Sequence, residues 1–198
     1  MDQLLEYFGV ITGLLYLYLE IKQKPVMWVI GLITSFVYVF VFYQAKIYAD
    51  MGLNIYYVLI SIYGWILWKC KKEEQTSEDS QQIKYINLNT KTGIGLVVSF
   101  FPVYLSMAYV LDRFTDSPIP YADAFTTTLS ILATWMLAKR ILQHWMLWVF
   151  INLISIYIYI YIYRGLYPTS FLYLCYASLA VVGYINWKKK GVLYEKDL

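Results

Sequence analysis

Apolar side chains fall in long unbroken blocks along this chain, and charge is confined to short clusters between them. A helix needs about 20 apolar residues, with a range of roughly 17 to 25, to cross the hydrocarbon core of a bilayer. Seven runs have that length: Leu4 to Ile21, Val26 to Tyr43, Gly52 to Trp68, Thr92 to Leu111, Ala122 to Ala138, Trp145 to Tyr163 and Tyr167 to Trp187. Backbone polar groups in lipid must be satisfied inside a helix or a closed barrel, and these runs are too long and too evenly apolar for barrel strands. The pattern predicts an all-α polytopic membrane protein with seven transmembrane helices.

One long hydrophilic stretch, KCKKEEQTSEDSQQIK from Lys69 to Lys84, interrupts the blocks after the third run and has the composition of a solvated linker. Lys and Arg divide unequally between alternating loops, 13 on one side and 3 on the other. The positive-inside rule then predicts an outside N-terminus and a cytoplasmic C-terminus. The N-terminal MDQLLEYFGV lacks a basic region and a small-residue cleavage site, so it is expected to be a first span and not a signal peptide.

Laid on itself at an offset of 120, the chain pairs Gln23 with Gln143, Trp28 with Trp148, Ser35 with Ser155 and Tyr43 with Tyr163. At 119 it pairs Tyr57 with Tyr176, Gly64 with Gly183, Trp68 with Trp187 and Lys69 with Lys188. Spans one to three thus match spans five to seven, and the odd fourth span gives both triplets one orientation. The expected organisation is 3+1+3 with a parallel internal repeat: a first three-helix repeat over 1–70, a hydrophilic cytoplasmic linker over 71–91, a linker helix over 92–112, a second repeat over 113–190 and a cytoplasmic tail over 191–198. Transporters use parallel repeats of this kind, holding solute near the midplane.

Composition agrees with that class: 60% of residues are apolar and 15% charged, against about one-quarter charged in soluble domains. The net charge of +3 is spread between the apolar runs, which argues against a nucleic-acid partner. Cys70 and Cys175 have no metal-ligand or CxxC spacing and are expected to be free thiols. Neither a metal nor a cofactor is implied, and no HExxH, GxSxG, P-loop or paired-carboxylate arrangement points to an enzyme or an ATP-driven pump.

Polar groups inside spans are costly, so the few present are the candidates for a solute site. Asn54, Tyr57, Ser61 and Trp65 share one face of the third span; Trp145, Trp148, Asn152 and Ser155 share one face of the sixth. Trp28 and Tyr176 join them as repeat counterparts of Trp148 and Tyr57. A cationic aromatic ring stacked between such indoles gains roughly 0.5 to 2 kcal/mol, and the amides can bond to its substituents. The competing reading makes Asn and Ser glue between helices and the aromatics interfacial belts. Trp68, Trp187, Trp145 and Lys188 are expected as interfacial anchors, Glu20, Asp50 and Asp123 as solvated or capping carboxylates, and His144 as a surface residue. With no acid near a span centre, the expected movement is passive and gradient-driven.

The segment from Trp28 to Trp68 with its YAD and YGWxxW elements, the stretch DAFTTTLSILATWMLAKR, and Trp145, Trp148 and Asn152 in WxxWxxxN resemble the PnuC family of bacterial vitamin transporters. That resemblance implies a fold related to the SWEET sugar carriers, a homotrimer in the bacterial inner membrane, and facilitated diffusion of nicotinamide riboside, with thiamine or riboflavin carried in related branches. It implies direction imposed by a cytoplasmic vitamin kinase, and family pocket positions at Trp148, Asn152 and Asn54. The short amide of Asn54 keeps thiamine beside nicotinamide riboside as the implied solute. Two other functions stand beside the carrier: a solute-binding subunit that needs a separate energising partner, and a structural or enzymatic membrane protein.

Overall fold

The computed structural model describes residues 2–45, 48–73, 83–115, 117–161 and 167–193. Seven helices form where the apolar runs predict them: α1 (Asp2–Ile21), α2 (Val26–Ala45), α3 (Tyr48–Glu73), α4 (Thr90–Phe114), α5 (Pro120–Ala138), α6 (His144–Tyr161) and α7 (Tyr167–Lys190). Among the described residues, Val26–Gln44, Met51–Lys69, Thr90–Phe114 and Ser170–Lys190 are each long and apolar enough to cross a membrane, while Tyr7–Ile21 and His144–Ile158 are shorter apolar stretches. The chain divides into two compact units, Met1–Ile83 and Lys84–Leu198. Within the first, α2 packs on both α1 and α3; within the second, α4 packs on α5, α5 on α6 and α6 on α7.

Each unit contains the same helix-ending turn. In the first, the Gln23 N–H bonds to the Glu20 carbonyl and the Lys24 N–H to the Leu19 carbonyl, both at 2.9 Å, with Gln23 at φ +51°. In the second, the Arg140 N–H bonds to the Leu137 carbonyl at 2.8 Å and the Ile141 N–H to the Met136 carbonyl at 2.9 Å, with Arg140 at φ +60°. This is a Schellman cap, whose left-handed residue normally is glycine. New helices then start with Met27 N–H to Lys24 O at 3.1 Å and with His144 N–H to Ile141 O at 3.2 Å.

These bonds correct the alignment of the repeat. Around the first connection the two units correspond at an offset of 117, so Gln23 matches Arg140 and Trp28 matches Trp145. The pairings of Gln23 with Gln143, Trp28 with Trp148 and Ser35 with Ser155 are each three residues out of step, because a helix repeats its faces at nearly that spacing and both halves are rich in aromatics. Packing supports the corrected register. The Trp28 ring lies on Gly64 and edge-on to Trp68, at 5.6 Å and 90°. Trp145 lies on Gly183 and edge-on to Trp187, at 5.6 Å and 88°.

Four of these tryptophans are fully buried: Trp28, Trp68, Trp145 and Trp187. The expectation of interfacial anchors at Trp68, Trp145 and Trp187 is therefore corrected. Glycine removes the side chain from the opposing helix, so an indole that would otherwise float at the headgroups fills the gap. Only Lys188 keeps an exposed position, with its ammonium 5.6 Å from the Tyr184 ring centroid.

His144 is buried too, which overturns its assignment to the surface. Its ring sits 4.7 Å from Trp145 and 5.1 Å from Trp187, and Nδ1 lies 2.6 Å from the Ile141 carbonyl. The α5–α6 turn is drawn inward by the segment before α4. Ile86 N–H bonds to Arg140 O at 3.0 Å, Leu142 N–H returns to Ile86 O at 2.9 Å, and Leu88 N–H bonds to Gln143 Oε1 at 2.9 Å. Beside it, a short strand β1 (Ile83–Tyr85) pairs with β2 (Gly191–Leu193). Burial lowers the Arg140 guanidinium to about 10, so it remains a cation at neutral pH.

Candidate functional site

Most polar side chains inside the helices bond to their own backbone. Thr128 Oγ1 donates to Ala124 O at 2.7 Å, Ser130 Oγ to Thr126 O at 2.9 Å, Thr134 Oγ1 to Ser130 O at 2.8 Å and Ser155 Oγ to Ile151 O at 3.0 Å. A hydroxyl that returns its proton to the preceding turn is satisfied without a neighbouring helix. These bonds are not interhelical glue, and each leaves oxygen lone pairs for another donor.

Asn152 follows the same rule: its Nδ2 donates to the Trp148 carbonyl at 2.7 Å, and the residue is 5% exposed. That bond fixes the amide orientation, since the group facing a carbonyl must be the NH2. It leaves the Asn152 Oδ1 and one N–H outside the bond. Trp148, one turn earlier, is half-buried and packs on Leu129, Ala133 and Ile151. The two therefore form a ring with an amide beside it, held by α6 and backed by α5.

In the first unit the candidates gather around Tyr16, a residue absent from the sequence-based site. The Tyr16 ring stands edge-on to Trp28 at 6.5 Å and 86°. A β-carbon placed on Gly31 would lie 3.0 Å from that ring and 3.2 Å from Ser61 Oγ. Tyr57 and Glu20 lie within electrostatic range of the Tyr16 hydroxyl. Ser61 is buried, while Asn54 and Tyr57, on the same face of α3, are half-buried and engaged by neighbours. Tyr176 of the second unit is half-buried and meets the Tyr173 ring at 6.3 Å.

The corrected register exposes an exchange of volume. Gly31 corresponds to Trp148, Tyr16 to Ala133 and Ser61 to Ala180, and both alanines are fully buried. In the first unit the Tyr16 phenol lies beside Gly31; in the second the Trp148 indole packs on the cluster that contains Ala133. The same fold thus presents different aromatic and polar groups in its two copies.

Of the eight candidates, the structure brings Trp28, Tyr57 and Ser61 around Tyr16, with Asn54 farther along the α3 face, and joins Trp148 to Asn152. Trp28 and Trp145 have their rings committed to Gly64 and Gly183. Glu20 is 3% exposed, so its assignment as a solvated or capping carboxylate is corrected. Its α1 turn is covered by neighbours, which nearness to a span end does not reveal. Its signal was present as the pair Tyr16 and Glu20 at i, i+4, which share a helix face. Asp123 accepts a hydrogen bond from Ser117 Oγ at 2.5 Å in the first turn of α5. The Asp50 and Cys70 side chains lie outside the described residues; Cys175 is a free thiol.

A cavity of about 500 Å³ lies in the second unit among α4, α5 and α6, lined by Val97, Phe100, Phe125, Met136 and Leu147, with Gln143 at its polar end. None of the eight candidates lines it. A solute rich in hydroxyls would give up its hydrogen bonds to water there and recover almost none.

Helices with exposed apolar faces, several of them long enough to cross a bilayer, define a multi-pass membrane protein. Residues 3–189 match the nicotinamide mononucleotide transporter family, and the chain belongs to that family. It is 26% identical over 205 residues to the nicotinamide riboside transporter PnuC of Escherichia coli, covering 92% of this chain and 84% of that one. It is 27% identical to PnuC of Neisseria mucosa, covering 95% and 73%, and 19% identical to the riboflavin/roseoflavin transporter RibM of Streptomyces davaonensis, covering 90% and 82%. A crystal structure of the vitamin B3 transporter PnuC is similar with a TM-score of 0.72 and 25% identity, over 95% of this chain and 82% of that one.

Proposed function

We propose that this protein carries nicotinamide riboside across the bacterial inner membrane by facilitated diffusion, with Trp148 and Asn152 contacting the solute. The observation that carries the reading is the Trp148–Asn152 arrangement: an indole next to a buried amide that keeps hydrogen-bonding capacity beyond its 2.7 Å bond to the helix. A flat amide-bearing ring can stack on the first and bond to the second. Trp145 holds the helix that presents these groups. The PnuC names of the relatives favour the same solute.

The riboside is favoured over its phosphorylated form. No Lys or Arg falls within any of the seven apolar runs, and a phosphate dianion left without a cationic partner in a low-dielectric site is strongly disfavoured. Net uptake then follows from phosphorylation in the cytoplasm, on the side where 13 of 16 basic residues are expected. Thiamine, which also carries a flat cationic ring and a hydroxyl, is the alternative solute. Purified protein in liposomes, without nucleotide or ion gradient, should equilibrate labelled nicotinamide riboside and exchange it against unlabelled riboside inside. Liposomes that stay empty for both nicotinamide riboside and thiamine overturn the proposal.

A further inference from the structure

The cavity among α4, α5 and α6 lies wholly within the second unit, and none of the solute-site candidates lines it. Its volume of about 500 Å³ is walled by apolar side chains, with Gln143 at one end. It is open along one face, where Val97, Phe101 and Met146 are each more than half exposed. Near the Gln143 end the wall is bare at Gly93, where an added β-carbon would meet only Leu88, at 3.8 Å. The depth of the groove matches one leaflet. From Gly93 to Phe101 the α4 wall rises about 12 Å, and from Met136 back to Phe125 the α5 wall rises about 16 Å, at about 1.5 Å per residue. Half of a hydrocarbon core about 30 Å thick is about 15 Å.

The groove begins at Leu88 and Gln143, where the segment before α4 is bonded to the α5–α6 turn, and this is the basic end of the unit. Lys91 lies in the first turn of α4, and Lys139 and Arg140 follow α5. The last turn of α7 holds Lys188, Lys189 and Lys190, drawn to the same end by the pairing of β2 with β1. Among the described residues of this unit the acids, Asp112 and Asp123, lie at the opposite end, in the last turn of α4 and the first of α5. An apolar trough one leaflet deep, beneath a cluster of cations, has the shape and polarity of a phospholipid with a negatively charged headgroup. An acyl chain fills the apolar walls by dispersion, and the phosphate meets the lysines. A second copy of this chain fits the groove less well, because copies related by rotation within a membrane share one orientation and would set this basic end against another. Independently of which solute is carried, we propose that α4, α5 and α6 form a binding site for one anionic phospholipid. Its acyl chain runs along Phe100, Leu129 and Leu147, and its headgroup lies at Lys91 and Lys139.

Native mass spectrometry of the purified, delipidated full chain, titrated with phosphatidylglycerol and with phosphatidylcholine of identical acyl chains, reads both the number of lipids bound and their affinity. A single phosphatidylglycerol per chain should bind about tenfold or more tighter than phosphatidylcholine. Lys91→Gln combined with Lys139→Gln should bring the two lipids within about twofold of each other. Gly93→Leu projects a side chain into the groove and should weaken both lipids by about tenfold. Gly95→Leu, two residues on and outside the groove, adds a carbon that meets nothing within 4 Å and should change neither. Both leucine variants should melt no lower than wild type, since leucine is the better helix former. Equal affinity for the two headgroups in wild-type protein, or equal lipid binding by the two leucine variants, overturns the site. Lipid adducts confined to monomers and lost on self-association would place a second copy in the groove and overturn it as well. Should Gly93→Leu fail to fold, the lysine pair decides, and a preference for phosphatidylglycerol that survives both substitutions overturns the assignment.

Discussion

The six-membered ring of Trp145 lies against the backbone of Gly183 so closely that a β-carbon there would stand 2.5 to 2.6 Å from three ring atoms. Real β-carbons do not approach that far, so alanine at Gly183 must displace a fully buried indole. Overpacking of this kind costs about 1 to 3 kcal/mol. Gly183→Ala, and Gly64→Ala beneath Trp28, are expected to lower the melting temperature in detergent by several degrees. Gly52→Ala, where the added carbon meets nothing within 4 Å, is expected to leave it unchanged or raise it.

The volume exchange between the units predicts a coupling that can be measured. Ala133→Tyr introduces into the second unit the phenol that Tyr16 supplies in the first, and overfills the cluster of Leu129, Ala133 and Ile151 on which Trp148 packs. The single variant should be strongly destabilised. Adding Trp148→Gly, the residue at the matching position Gly31, should recover part of the loss, with an interaction energy of about 0.5 to 3 kcal/mol between the two sites. Strict additivity of the two changes would contradict the corrected register.

At the two Schellman turns, Gln23 and Arg140 hold left-handed backbone at φ +51° and +60°. Glycine and valine substitutions both delete the native side chain and its contacts, so the difference between them measures the backbone alone. The left-handed region costs about 1 to 2 kcal/mol for a residue with a β-carbon, and β-branching adds to it. Gln23→Gly should therefore be more stable than Gln23→Val by about that amount, and the same order should hold at Arg140. Equal melting temperatures would mean that the turns do not adopt this geometry.

His144 is packed between two indoles, with Nδ1 at 2.6 Å from the Ile141 carbonyl. Removing the ring empties its place between the indoles and takes one of two donors from the Ile141 carbonyl, which keeps the backbone N–H of residue 144; the lost hydrogen bond alone contributes about 0.5 to 1.5 kcal/mol. His144→Ala should be poorly stable, whereas His144→Gln, which can still donate, should lose less. An acylating reagent specific for histidine should modify His144 slowly in folded protein and rapidly after denaturation.

The helices were legible in the sequence because lipid leaves the backbone one local solution, and seven apolar runs therefore became seven helices with ends shifted by a few residues. A repeat was suggested by Gly64 with Gly183 and Trp68 with Trp187, and the local contacts match: an indole lies on each glycine and edge-on to each of these tryptophans. Its register across the second helices was not legible. Trp145 and Trp148 lie three residues apart on nearly the same face, and only the hydrogen bonds at Gln23 and Arg140 say which one answers Trp28. Depth was the poorest inference: His144, Glu20, Trp68 and Trp187 all lie near span ends, where sequence suggests water, yet neighbouring segments cover each of them. On the face of α6, Trp148 and Asn152 were identifiable because an amide in an apolar run is conspicuous. Tyr16 was not, being one tyrosine among 22.

The central claim is that Trp148 and Asn152 grip a flat solute, and titration calorimetry of the purified chain with nicotinamide riboside tests it most directly. Wild-type protein should bind the riboside, or thiamine in its place, while Trp148→Ala and Asn152→Ala should each weaken that binding by roughly tenfold or more, the loss of one stacking or hydrogen-bonding contact of about 1.4 kcal/mol. Undiminished affinity in both variants, with melting temperatures near wild type, would contradict the account.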